Sequence, residues 1–170
     1  MTRHLILTRH AKSDWDDPTI DDHDRPLNAR GIASAAAMGR WVAGQHHLPR
    51  QALLSTATRV METWEEMRPA LPGCKAETHR QLYQGTPETI LSVLAGATAE
   101  SVLVIGHNPG FAMLAETLVQ CAPDHGRFHA FPTCATLILS FDIDDWAGVR
   151  PASGTVLAFG VPREVMGEAQ

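Results

Sequence analysis

The chain has 170 residues, with 14 Lys and Arg against 19 Asp and Glu for a formal charge of −5, and 44% of its residues are hydrophobic. That length suits a single domain spanning residues 1–170, able to bury roughly two thirds of the surface its unfolded chain exposes, and the composition is globular rather than disordered. The acidic balance, with no basic block, argues against nucleic acid or an anionic membrane as partner, so an anionic substrate would need a locally basic pocket. Cys74, Cys121 and Cys134 are odd in number and widely spaced, which fits a reducing cytoplasm better than a disulfide framework. No CxxC spacing points to a metal, and no cofactor is expected. A strand begins within four residues, which leaves no room for a signal peptide. No apolar run approaches the roughly 20 residues a bilayer span requires.

In chain order, the apolar run at 4–9 is a buried strand ending at Arg9-His10, and Asp16 to Asp24 is an acidic loop. Asn28 is placed to cap a helix over 29–45 whose Ile32, Ala35, Ala36, Met38, Gly39 and Val42 form one face. A strand at 52–55 leads through Ser55 and Thr56 into a helix over 57–70. A weak strand at 75–78 is followed by a helix capped by Thr86, with Pro87 at its first position and its end near Leu94. A strand over 101–106 and a helix over 110–121 come next. The tail, Thr133 to Phe141 and Thr155 to Val161, reads as two strands with little helix between them, an antiparallel edge. This alternation predicts an α/β fold: a three-layer α/β/α sandwich around a mostly parallel central sheet with an antiparallel edge.

Three predicted strand ends carry chemistry. The first delivers Arg9 and His10, the second Ser55, Thr56 and Arg59, and the third His107 and Asn108 in a Gly/Pro-rich turn. A parallel sheet places its site beyond the carboxyl ends of its strands, so these groups share one candidate edge. Strict alternation would send Arg9 and His10 to opposite faces, so the strand is expected to end near Thr8 and the chain to turn there. The set fits phosphoryl transfer. A neutral imidazole attacks phosphorus, and guanidinium groups hold the equatorial oxygens bidentately. Arg59, in the first turn of its helix, would add backbone N–H groups to the same anion site.

The motifs Thr8-Arg9-His10-Ala11-Lys12-Ser13-Asp14-Trp15, Asp24-Arg25-Pro26-Leu27-Asn28-Ala29-Arg30-Gly31, Ser55-Thr56-Ala57-Thr58-Arg59, Leu82-Tyr83, Gly106-His107-Asn108-Pro109 and Phe131-Pro132-Thr133 occur in that order. With them the chain resembles the histidine phosphatase (phosphoglycerate mutase-like) superfamily, in particular its short SixA-like phosphohistidine phosphatase branch. The resemblance covers about the first 135 residues. It implies that His10 is the phosphorylated nucleophile, and that Arg9, Arg59 and His107 are its phosphate-binding partners. Arg25 is placed near the pocket, and Asn108 and Thr133 at its edge. For Arg25 the alternative is an exposed arginine paired with Asp24; for Asn108 and Thr133 it is turn and strand-end chemistry.

The general acid is less defined. Gln81 stands where related short sequences often carry Glu, and an amide donates no catalytic proton. Glu88 and Asp14 are the candidate carboxylates, although the first-turn position of Glu88 is already explained by the helix dipole. Trp15, Trp41, Trp64 and Trp146 are expected to be packing anchors, and the other histidines surface or capping groups.

Larger superfamily members insert a helical lid, whereas here about a dozen residues separate His10 from the next motif. The resulting open groove suits phosphohistidine on a protein. The expected activity is therefore that of a metal-independent phosphatase working through phospho-His10. Small phosphate esters as substrates, or an inactive phosphoprotein-binding module, are the alternatives. The sequence leaves the oligomeric state open.

Overall fold

A computed structural model describes residues 1–168. Six strands, β1 (Thr2–Arg9), β2 (Gln51–Leu54), β3 (Lys75–Thr78), β4 (Ser101–Gly106), β5 (Thr136–Asp142) and β6 (Thr155–Gly160), form one sheet in the order β3-β2-β4-β1-β5-β6. β1 is parallel to β4, and β2 to both β3 and β4. β5 runs antiparallel to β1, and β6 antiparallel to β5. The expected parallel body with an antiparallel edge is what the chain forms.

Alternation along the central strands explains the layers. Leu5, Leu7, Val102, Val104, Leu137 and Leu139 join one buried cluster, while Ile6, Leu103, Ile105 and Ile138 join the other. Strands covered on both faces read as near-continuous apolar runs, as β1 and β4 do. Phe111, Leu114 and Leu118 of α4 (Gly110–Leu118) and Ile90 and Leu94 of α3 (Pro87–Ala95) pack on the first side. Ala35, Met38 and Val42 of α1 (Ala29–Gly44), with Val60, Trp64 and Met67 of α2 (Thr58–Met67), pack on the second. Asn28 caps α1 by accepting from the Gly31 amide, and Thr86 caps α3 through the Thr89 amide, both as the sequence predicts.

Several boundaries differ. α2 stops at Met67 and continues as a single 3-10 turn over Arg68–Ala70, because Pro69 supplies no amide hydrogen to the helix. α4 ends at Leu118, and a short helix α5 (Pro162–Val165) follows β6. Within α1, Ile32 lies on the solvent side, and the buried stripe runs through Gly31, Ala35, Met38 and Val42. Gly31 is required there, because a Cβ would stand 2.1 Å from the Lys12 carbonyl oxygen. That close approach brings the start of α1 onto the loop after β1.

Candidate active site

β1 continues one residue further than its polar end suggests. Arg9 still pairs with Gly106, and the His10 amide donates to the Gly106 carbonyl at 3.0 Å. The chain then leaves the sheet, held by Asn28 N–H to Lys12 C=O at 3.0 Å and Asp14 N–H to Pro26 C=O at 2.8 Å. From the other side the Cys134 amide donates to both the Arg9 and His10 carbonyls, at 3.1 and 3.0 Å. Phe131 and Cys134 reach this position through left-handed backbone (φ 45° and 62°). Such conformations gather where a site constrains the chain.

A cavity of about 430 Å³ opens at this edge, with Arg9, His10, Asp22, Arg25, Arg59 and His107 among its walls. Four of the residues expected to act together, Arg9, His10, Arg59 and His107, thus meet, and Arg25 joins them. The rings of His10 and His107 lie 5.3 Å apart between centroids. His10 Nδ1 donates to the Ala11 carbonyl at 2.7 Å, since a carbonyl only accepts. In the neutral ring the lone pair is then on Nε2, the nitrogen able to attack phosphorus. Burial pushes the His10 pKa down to about 4; the charges of Arg59, Arg9 and Arg25 add to the shift, and the bond to Ala11 opposes it. The His10 ring is therefore unprotonated at neutral pH.

His107 has the opposite tautomer. Arg59 donates to its Nδ1 at 3.4 Å, so Nε2 carries the hydrogen given to Ser55 Oγ at 2.8 Å. Burial, followed by His10 and Arg59, lowers its pKa to about 3. Burial and the Arg59 charge also draw Arg9 below its ordinary value. These shifts share one origin: cationic groups crowd a site with little water around them. Arg59 is 2% exposed and Arg25 7%, and the buried Nε atoms of Arg9, Arg25 and Arg59 have no hydrogen-bond partner. Buried donors left without acceptors are costly, and three guanidinium groups on one cavity make its wall strongly cationic.

Asp22 was not among the residues singled out from sequence, where it is one of several aspartates in an acidic loop. Its Oδ1 accepts from Arg25 at 2.7 Å, its Oδ2 from Arg59 at 3.0 Å and from the Tyr83 hydroxyl at 2.5 Å, and its carbonyl from Arg59 at 2.6 Å. Burial opposes its ionisation, but the bonds from Arg25, Tyr83 and Arg59 prevail and hold the carboxyl well below the usual range. A readable signal existed in its spacing, three residues before Arg25 across one 3-10 turn. Ser55 and Tyr83 were read only as parts of motifs, and the structure gives both a direct contact within the site.

Other expectations need correction. Glu88 is exposed in the first turn of α3, where the macrodipole accounts for it, and does not line the cavity. Asp14 does not line it either; its Oδ1 accepts from the Asp16 amide at 2.8 Å and shapes the turn. Asn108 lines the cavity, but its Nδ2 donates to the Ala130 and Phe131 carbonyls at 3.1 and 3.0 Å. Both amide hydrogens are thereby spent on bracing the neighbouring loop. Arg25 is not an exposed partner of Asp24 but is buried, bonded to Ser13 and Asp22. Trp15, expected in the core, is 73% exposed at the cavity wall with Arg25 stacked 3.5 Å from its ring. Among the described residues no group of three or more His, Cys, Asp or Glu could hold a metal ion, and no helix is long and apolar enough to cross a membrane.

The comparisons with known proteins agree with this geometry. The uncharacterized Mycobacterium tuberculosis protein Rv1276c is 33% identical over 91% of this chain and 99% of its own length. An uncharacterized chloroplastic protein of Arabidopsis thaliana is 31% identical over 91% of this chain and 73% of that one. The structure of SixA from Nakamurella multipartitia, a candidate phosphohistidine phosphatase, superposes with a TM-score of 0.81 at 28% identity, covering 95% of this chain and 97% of that one. The model of the histidine phosphatase superfamily (branch 1) matches residues 5–83, the segment that carries Arg9, His10, Arg25 and Arg59. With His107 closing the site those residues begin, the chain belongs to the histidine phosphatase superfamily.

Proposed function

We propose that this phosphatase removes the phosphoryl group from phosphohistidine in a protein, through a covalent intermediate on His10. The observation that carries the mechanism is the unprotonated His10 beside His107 in a cavity walled by three arginines. His10 Nε2 forms the new N–P bond as the substrate's N–P bond breaks. Arg9, Arg25 and Arg59 hold the equatorial oxygens, where charge develops. Water then attacks phosphorus, the bond to His10 breaks, and inorganic phosphate leaves. As the dianion enters, its charge offsets the arginines and favours a proton on His107, which turns that ring into a further donor to the phosphoryl group.

The nature of the leaving group supports a phosphoramidate. Asp22 is the one carboxylate among the described residues lining the cavity, and it is held ionised by its three partners. An ester oxygen would need a protonated acid that this wall lacks. A phosphohistidine ring protonated on its other nitrogen leaves as neutral imidazole and needs none. Other SixA-type chains of this fold, such as that of Nakamurella multipartitia, carry the same candidate activity in name.

Brief incubation with phosphoramidate, followed by an alkaline quench and peptide mapping, should find acid-labile phosphate on His10. His10→Ala should lose at least roughly 10³-fold in turnover, as expected when a nucleophile is removed. No phosphate on His10, or undiminished turnover in that variant, would overturn the mechanism. A strong preference for small esters over a phosphohistidine peptide would overturn the substrate.

A further inference from the structure

Beside the catalytic cavity lies a second one of about 250 Å³, bounded by Arg30 and Ser34 of α1, Arg127 and Pro132 of the loop before β5, and Val161 to Glu164 around α5. Lys12 and Thr133 line both cavities, so the two are contiguous. Four cations border this groove in a chain whose net charge is −5. Arg30 is paired with Glu168, and the one carboxylate on the rim, Glu164, meets His125 at 2.9 Å. Lys12 and Arg127 form no ion pair among the described residues, while Arg163 adds to the pull of Arg30 that holds the Glu168 carboxyl below its ordinary value. Pro132, Val161 and Pro162 give the groove an apolar floor between these charges.

The cations of the groove repel one another, and an acidic chain otherwise turns acidic partners away. Their gathering in one concavity is explained by an anion that enters it. Lys12 stands two residues after His10 and lines both cavities, so the groove begins next to His10. An extended peptide advances about 3.3 Å per residue, which puts the near neighbours of a phosphohistidine within its reach.

We propose that this groove is a specificity subsite that binds an acidic side chain flanking the phosphohistidine of the substrate protein. The proposal rests on the phosphohistidine reading above and adds its sequence preference. Lys12, Arg127 and Arg163 are binding residues here, and none takes part in the transfer. An acidic flank raises affinity, and salt reduces the gain.

Two fluorescent peptides carrying a non-hydrolysable phosphoryl-triazole analogue of phosphohistidine, one with Glu at the flanking positions and one with Ala, distinguish the outcomes by anisotropy. The acidic peptide should bind the wild-type protein about five- to tenfold more tightly, a range consistent with two or three exposed ion pairs. Arg127→Ala/Arg163→Ala should abolish that advantage while turning over phosphoramidate at the wild-type rate, which also shows that the variant is folded. Equal affinities for both peptides, or an advantage undiminished in the double variant, would overturn the subsite. An acidic advantage without phosphoramidate turnover would strike the catalytic reading alone, and turnover without the advantage would strike the groove alone.

Discussion

The sheet-edge wall of the catalytic cavity, made by Arg9, His10 and His107, is held by backbone; the opposite wall, Trp15, Asp22 and Arg25, is held by side chains. On the first, His10 is fixed by backbone hydrogen bonds to Gly106 and Cys134, beside the fully buried β4. On the second, Asp22 bonds to Arg25, Arg59 and Tyr83, and Trp15 stacks on Arg25 in the open. Backbone bonds in a buried sheet exclude water and hold atoms within tenths of an ångström. Ionic contacts to a half-exposed carboxylate such as Asp22 are partly screened and yield more readily. His10 thus sits on the stiff wall, and Arg25 on the wall that can adjust. Arg59 belongs to both, reaching His107 on one side and Asp22 on the other.

The largest effect expected in breaking this division is at Arg59. Arg59→Ala removes a buried oxyanion donor and the partner of Asp22 together, and should lower kcat/KM for phosphoramidate by about 10²–10³-fold. Arg59→Lys should restore little, because an ammonium cannot span His107 and Asp22 at once. A loss below tenfold, read from steady-state kinetics, would place the anion grip elsewhere.

Acid should act on the stiff wall next. His10 and His107 have folded-state pKa values of about 4 and about 3, below the ordinary histidine value. Between about pH 6.5 and those values the unfolded chain binds more protons, so stability is fully present above pH 6.5 and is lost as pH falls. Urea unfolding at stepped pH should show a decline of a few kcal/mol over that window, with a shallower slope in His107→Asn. Over the same range kcat/KM should hold from neutral pH to about 5 and fall only near 4. An acid limb near 6.5 would mean that His10 is not the buried, neutral group described above.

The smallest change is expected at Asp22. Its lowered pKa makes its contribution present above the ordinary carboxylate range and lost only in strong acid, so at neutral pH Asp22→Asn removes it. Because the side chain is 44% exposed, solvent screening limits the loss to about 0.5–1 kcal/mol by guanidinium unfolding. Turnover of phosphoramidate should fall by less than about tenfold. A loss as deep as that of Arg59→Ala would show the two walls to be equally rigid.

Much of this was legible from residues 5–15 and 102–110, because an apolar strand that stops at a titratable pair states both its burial and its chemistry locally. The caps Asn28 and Thr86 were legible for the same reason, each acting on an amide three residues away. Trp15 misled: large aromatics are usually buried, and only the loop's path leaves this one in solvent against Arg25. Asn108 misled as well, since an amide beside His107 suggests a ligand, yet its hydrogens meet carbonyls more than twenty residues away. Asp22 was hidden among like residues, its spacing of three from Arg25 being the one local mark that this aspartate turns inward.

The sequence by itself determined the layered α/β fold, the strand ends that carry Arg9, His10, Arg59 and His107, and the family to which those motifs belong. These follow from hydrophobic period and residue chemistry over short stretches. Only the tertiary structure decided that Asp22 joins Arg25 to Arg59, that Glu88 stays outside, and that Lys12, Arg127 and Arg163 share one groove. Charges distant in sequence become neighbours through chain path and packing, and their pairing energies depend on burial that no short segment encodes.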